Sequence, residues 1–474
     1  MVTIPSSKTP KLLQNLQWVF NPVGYMETNF QRFGDLFRAE ILPMNSEPVV
    51  LVNHPEAMRY LLTHDSSDEI TAPGEVNEIA RPFVGGNSIL LLSGKDHLQR
   101  RKLLMPPFHG ERMFAYGERI CAIARQAASE WQPGDCFCAR DVMQKITMRT
   151  ISQVVFGLDE RDSPTDRLSL SDRLQSRLSG MPQALRDRQL EQRLTEWIRL
   201  ISTPITSIFF FFPQLMIDLG PQSLGGRIRH SLAELDRLLY DKIHEYRTQP
   251  DPERVDVLSM LVSAKDEQGQ GLTDQELRDD LFTLLMAGQE TTANALTWAM
   301  YWIHRYPEVR QNLLEELVPW RNSTDFTEIA RLPYLTAVCN ETLRIYPGPV
   351  AFPRRVEKPI QLMGHDVPVG WLLVACVYLV HHREDLYPNS YTFRPERFFE
   401  RQFSPYEFLP FGGGRRRCLG AALAMYEMVL VLKTILEQCE LELVEENLAK
   451  PVRQGGVLAP SGGVWLRKVC DRAA

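Results

Sequence analysis

The sequence predicts a mainly α-helical protein with a small β region, and three observations carry that prediction. Beyond residue 97, segment after segment returns apolar residues at three- and four-residue intervals, the period of a helix with one buried face. One of these runs continues unbroken from Thr273 to about His304. Strand-like patterning is confined to short stretches near the N-terminus and to a Gly- and Pro-interrupted region around residues 360–377.

In chain order, a helix is expected at Pro22–Phe33, then strand-like segments at Phe37–Leu42 and Pro48–Val52, then a helix that His54 caps and that runs to His64. Further helices are expected at Asp96–Met105, Glu111–Trp131, Ala139–Val155, Arg188–Ile201 and Gly226–Arg247. Thr273 followed by Glu276 is a capping box that opens the long run. At 1.5 Å per residue, its ~30 residues span on the order of 45 Å, and its apolar residues lie nearly all round it. It should be a buried central helix. Pro333–Ile345 reads as another helix, and Ile360–Val377, broken at Gly364 and at Pro368, reads as a hairpin region. Residues 388–417 form a long loop rich in Pro, Gly, Phe and Arg, a setting that suggests function more than linkage. A last helix occupies Leu419–Gln438.

Composition excludes several classes. With 53 basic and 59 acidic residues among 474, the formal net charge of -6 gives no general attraction to nucleic acid. The eight cysteines include no CxxC pair, which argues against a disulfide framework or a zinc ribbon. The N-terminus lacks a basic flank with an apolar run of signal-peptide length, and no window reaches the ~18 apolar residues of a spanning helix. No transmembrane anchor and a cytoplasmic location are expected.

The chemistry concentrates where a glycine-rich loop becomes the last helix, in FGGGRRRCLG from Phe411 to Gly420. Unpaired N–H groups at a helix start favour an anion, so Cys418 is expected to have a lowered pKa and to persist as a thiolate fit for a metal. A lone buried cysteine is more often inert packing than a ligand, so the weight falls on its neighbours. Phe411, Gly414, Arg416, Cys418 and Gly420 fit FxxGxRxCxG in full. On these residues the chain resembles the cytochrome P450 family of haem-thiolate monooxygenases. The resemblance implies a cytochrome P450 fold, an α-rich lobe and a smaller β-rich lobe, with haem b (iron protoporphyrin IX) between the long central helix and the helix after Cys418. It implies Cys418 as the iron ligand, Arg416 on a haem propionate, Phe411 beside the sulfur, and Gly412 and Gly420 as small residues that let the backbone approach the porphyrin. Thiolate ligation favours O–O cleavage.

Four further motifs occur in the family's order. AGQETT places Ala287, Glu290 and Thr291 in the middle of the long helix. The Thr291 hydroxyl can simply bond back to the Ala287 carbonyl. By resemblance, Ala287 leaves room for dioxygen, Thr291 and Glu290 are catalytic and relay protons, and the helix widens locally at Thr291. Both readings can hold together. Glu341 and Arg344 share a helix face as ExxR. The resemblance adds Arg397, from PERF, to form a buried structural network with them. His97 and Arg101 match the family's WxxxR with His97 in place of the aromatic. They are expected on the propionates with Arg354, Arg355 being the alternative there.

No flavin, nicotinamide or iron–sulfur motif is present, so electrons are expected from a separate ferredoxin- or flavodoxin-type donor with its reductase. Arg100, Lys102, Arg415 and Arg417 are candidates for its docking face. By family position the substrate pocket includes Ile79, Phe83, Met286, Val350 and Phe352, and Phe209–Phe212 is a buried helix end, a channel border or a membrane contact. The expected enzyme is a monomeric monooxygenase that uses O2 to hydroxylate or epoxidise a lipophilic substrate such as a fatty acid, alkane or terpenoid. Its alternatives are a haem-thiolate peroxygenase or isomerase and a non-catalytic haem sensor or carrier. The whole chain, 1–474, is expected to form one domain, with about 1–70 and 350–385 giving the β-rich part and about 95–345 and 405–440 the helical part.

Overall fold

The computed structural model describes residues 4–41, 48–108, 110–158, 183–201, 220, 222–251, 253–444 and 448–472. The Phe209–Phe212 run lies outside them. Helices form largely where the apolar period places them: α1 (Lys11–Phe20), α2 (Pro22–Phe33), α3 (Pro55–His64), α4 (Gly94–Leu104), α5 (Gly117–Ser129), α6 (Ala139–Phe156), α7 (Gln183–Ile201), α8 (Leu224–Thr248), α9 (Asp274–Arg305), α10 (Pro333–Ile345) and α11 (Ala421–Gln438).

The capping box opens α9: Glu276 N–H donates to Thr273 Oγ1 at 3.2 Å, and Thr273 N–H donates to the Glu276 carboxylate at 2.9 Å. Its 32 residues give a rod of about 48 Å. Helices α6, α8, α10 and α11 pack round it and bury most of its surface. The expected Glu111–Trp131 helix divides into Glu111–Phe114 and α5. At the break Tyr116 turns inward, and its hydroxyl donates to the Val255 carbonyl at 2.9 Å. Gly117 then lies so close to α11 that an added Cβ would sit 2.2 Å from Tyr426 Oη.

The main sheet has five strands in the order β1 (Leu36–Ala39), β2 (Val49–Val52), β8 (Leu372–Ala375), β5 (Phe352–Val356) and β3 (Ile70–Thr71), with β2 and β8 parallel. Leu372–Ala375 was expected inside the 360–377 hairpin. It runs instead between β2 and β5, because its four consecutive apolar residues are buried on both faces. The hairpin itself is only β6 (Ile360–Leu362) and β7 (His365–Val367). Beyond α11 the chain adds strands with no counterpart in the expected elements. β9 (Cys439–Leu443) and β12 (Trp465–Asp471) join β4 (Cys136–Cys138), and β10 (Pro451–Gln454) pairs with β11 (Val457–Pro460).

One apolar core surrounds α9, and two smaller ones occupy the opposite faces of the five-stranded sheet. Among the described residues no helix is long and apolar enough to cross a membrane.

Candidate active site

The loop before α11 is shaped by two glycines at positive φ, Gly412 (+65°) and Gly414 (+66°). A Cβ on Gly414 would fall 2.0 Å from Asp65 Oδ2, so only glycine lets the backbone lie this close to the end of α3. Cys418 N–H closes the loop by donating to the Phe411 carbonyl at 3.0 Å. The N-cap of α11 is Gly420, so Cys418 stands two residues ahead of the N-cap and outside the first turn. Burial acts against the expected lowering of the thiol pKa. Cys418 keeps accessible surface but lies deep in the fold, and loss of water round the sulfur pushes the thiol up from its usual value. Gly420 N–H, Arg101 and Arg417 act in the opposite direction.

Cations crowd this loop. His97, on α4, is buried, and its pKa falls to about 4 through burial and the positive charges of Arg416, Arg101, Arg415 and Arg354. Arg416 spreads its guanidinium over carbonyls of another loop, donating to Ala72 O at 3.0 Å, Ile89 O at 3.3 Å, Leu90 O at 3.2 Å and also to Leu92 O. Arg354 is held at Nε and Nη2 by Asp65 Oδ2, at 3.1 and 3.0 Å, and donates to the Gly413 carbonyl at 2.9 Å. Asp65 also accepts the Arg415 N–H at 3.0 Å. Arg355 is half-buried and alternates with Arg354 along β5.

Arg100 is not part of a docking face. It is buried and bound to Asp280, at 2.6 Å, and to Glu276, tying α4 to the start of α9. Lys102 is exposed and pairs with Glu267 at 2.8 Å.

The ExxR pair forms a buried knot. Arg344 donates to both Glu341 oxygens at 2.7 and 2.9 Å, and Arg397 Nε reaches Glu341 Oε1 at 2.9 Å. Arg344 also donates to the carbonyls of His381, at 2.6 Å, and Ser390, at 2.7 Å. His381 extends the knot to the Cys418 loop, since its Nε2 accepts the Leu409 N–H at 3.0 Å. Nδ1 therefore carries the proton and donates to the Arg344 carbonyl at 3.1 Å. Sequence patterns pointed to neither His381 nor Asp65.

In the middle of α9, Ala287 is exposed while Leu285 and Thr292 are buried. Thr291 Oγ1 donates to the Ala287 carbonyl at 2.7 Å, and the helix continues regularly through this point. The expected widening does not interrupt the helix at Thr291. Glu290 turns toward the β10–β11 turn, where its oxygens lie 3.0 and 3.1 Å from the position of a Cβ on Gly455. Burial raises its pKa to about 7 against the opposing charge of Arg140.

Of the expected pocket residues, Ile79, Met286 and Phe352 are half-buried, whereas Phe83 and Val350 are closed into the core. Phe83 packs edge-on to Trp197, with ring centres 6.3 Å apart. Phe352 lies under the Arg354 guanidinium, 4.9 Å from its ring centre.

Comparison with known proteins decides what this arrangement belongs to. The family pattern described as Cytochrome P450 matches residues 5–466. The chain belongs to the cytochrome P450 family. Cytochrome P450 135B1 of Mycobacterium tuberculosis is 31% identical over 438 residues, covering 92% of this chain and 85% of that protein. Cytochrome P450 138 of Mycobacterium bovis is 29% identical and covers 97% and 94%. Among solved structures, the retinoic acid-bound cyanobacterial CYP120A1 superposes with a TM-score of 0.81 at 23% identity, covering 99% of each chain. The haem domain of cytochrome P450DA gives the same score at 19% identity, covering 100% of this chain and 98% of that one.

Members of the cytochrome P450 family are haem-thiolate monooxygenases that bind iron protoporphyrin IX through a cysteine, so this chain is a cytochrome P450 monooxygenase. The residues described fit that group. A thiol stands next to Gly420, where an added Cβ would meet no atom within 4 Å, leaving room for a flat macrocycle. Among the described residues, Arg101, Arg354, Arg415 and Arg416 together place positive charge round His97, while Asp65 acts on Arg354 and Glu75 on Arg416, a cationic cluster suited to two propionates.

Proposed function

We propose that Cys418 is the haem ligand of this cytochrome P450 and that the enzyme hydroxylates or epoxidises a lipophilic substrate, a fatty acid, alkane or terpenoid. Electrons come from a separate ferredoxin- or flavodoxin-type protein with its reductase. The observation that carries the reading is the Cys418 thiol in a glycine-bent loop beside this cluster of arginines. When bound, the haem supplies dioxygen activation and transfer of one oxygen atom to substrate.

The chain's own residues do the rest. Arg101, Arg354 and Arg416 neutralise the propionates, and His97, uncharged near neutral pH, offers them a ring N–H donor. Arg101 serves this directly, for among the described residues it has no carboxylate partner, whereas Arg354 acts chiefly by fixing the loop through Gly413 and Asp65. Phe411 orients the thiol through its carbonyl, and Gly412 keeps the loop bent toward Phe352. The exposed Ala287 leaves space at the centre of α9, Thr291 holds a proton at Oγ1, and Glu290 keeps a reserve proton near neutral pH. Ile79, Met286 and Phe352 offer apolar surface to the substrate. Arg417 is exposed to an acidic electron donor, as is Lys102 beside its Glu267 partner.

The reduced, carbon monoxide-treated protein should show the thiolate-type Soret band, and Cys418→Ser should lose it while keeping the fold. Retention of that band in the variant would refute the assignment. Spin-state titration against fatty acids, alkanes and terpenoids, retinoic acid among them, followed by turnover with ferredoxin, reductase and NADPH, identifies the substrate class. A spectral response without product would instead mark a carrier.

A further inference from the structure

Among the described residues, Glu290 Oε1, Asn294 Oδ1 and Arg140 Nε are buried polar atoms without a hydrogen-bond partner. Glu290 and Asn294 are one turn apart on the same face of α9. Arg140, in the first turn of α6, is half-buried, and its charge acts on Glu290. Its Nη1 donates to Gln454 Oε1 at 2.7 Å, which fixes the guanidinium against the end of β10. The next residue, Gly455, closes the niche, since a Cβ there would press on both Glu290 oxygens, at 3.0 and 3.1 Å. Trp298 Nε1 donates to the Leu458 carbonyl at 2.9 Å and holds the β10–β11 hairpin to α9. Two acceptors and one donor, all buried, make a polar niche of the kind that ordered water occupies.

We propose that Arg140 is the positioning residue of Glu290, holding an ordered water against its inner oxygen through which the carboxylate is reprotonated from the surface at the start of α6. The inference rests on the reading of Glu290 as a proton carrier. When Glu290 gives up its proton, the bridging water donates one to Oε1 and is itself reprotonated from solvent alongside Arg140, so no charge is left in the niche. The guanidinium does not titrate. It orients the water and favours the carboxylate form enough for the proton to be released. Arg453, on β10, lies over the Trp18 ring at 5.4 Å. Arg140 is therefore the charged group on the elements around Glu290 that acts on its carboxyl.

Infrared titration of the purified holoprotein tests this, with the Glu290 carboxylic acid band assigned by its loss in Glu290→Gln. Arg140→Gln should raise the midpoint of that band by roughly one pH unit, and Arg140→Lys should leave it close to wild type. Coupling should follow, with more of the NADPH electrons lost to peroxide and a larger solvent isotope effect in Arg140→Gln than in Arg140→Lys. An unmoved midpoint in Arg140→Gln overturns the proposal. Impaired coupling in Glu290→Gln that Arg140→Gln does not share removes Arg140 alone. Unchanged coupling in Glu290→Gln overturns the proton-carrier reading and the reprotonation route with it.

Discussion

At Thr291 and Glu290 neighbouring residues take up different tasks because they point to different sides of one helix. The threonine hydroxyl is occupied by the Ala287 carbonyl, a bond that leaves its oxygen lone pairs free to accept. The glutamate is turned into a desolvated niche that keeps it protonated up to about pH 7. Thr291→Ala is expected to leave reduction intact while diverting electrons to peroxide, measured as peroxide formed per NADPH consumed. Coupling in the wild type should fall as pH rises through about 7, where Glu290 loses its proton. The AGQETT motif was legible because its residues are contiguous. Asp65 was not: it reaches Arg354 and the Arg415 N–H across 289 and 350 residues, and such contacts leave no local pattern. His381 escaped notice similarly, because one histidine in an apolar stretch carries no spacing signal until its two ring nitrogens find their partners.

Among the elements, the loop before α11 carries the sharpest constraint. Gly414→Ala must place a side chain in the left-handed region and drive it against the Asp65 carboxylate. The backbone term alone is about 1–2 kcal/mol, and displacement of Asp65 also frees Arg354 from its partner. The variant should therefore melt earlier and lose haem faster on transfer to apomyoglobin, whereas Gly364→Ala, in the exposed β6–β7 turn, should retain haem normally. The helices were readable because the 3.6-residue period, the capping box of α9 and the prolines opening α2, α3 and α10 are local signals. The strands after α11 were not. They are short, β9, β10 and β12 are partly exposed, and β12 alternates weakly enough to pass for loop until β4 and β9 pair with it.

For the molecule as a whole, buried ionisable groups set how stability responds to pH. Glu427, fully enclosed on α11 beside Thr150, has its pKa raised by burial from 4.5 to about 8, and Glu290 shifts in the same direction. In the window between those values the folded state holds protons that the unfolded chain has released, so stability falls as pH rises through it. Glu427→Gln should flatten that fall by on the order of a few kcal/mol, read from urea unfolding at several pH values between about 5 and 8. An unchanged slope would show that Glu427 does not titrate in this window. The buried histidines act oppositely. His97 and His304 are held down to about 4 and His381 well below its usual value, so acid protonates the unfolded chain first and stability is lost as pH falls below about 6.

The contact between Asp65 and the Arg415 backbone also bears on how the protein is made. The seat of the cysteine joins residues 65 and 415, so a ribosome that has released only the first several hundred residues presents no finished place for the porphyrin. Cofactor uptake is thereby expected only once residue 415 has been made, and a chain terminated before it should be left without pigment.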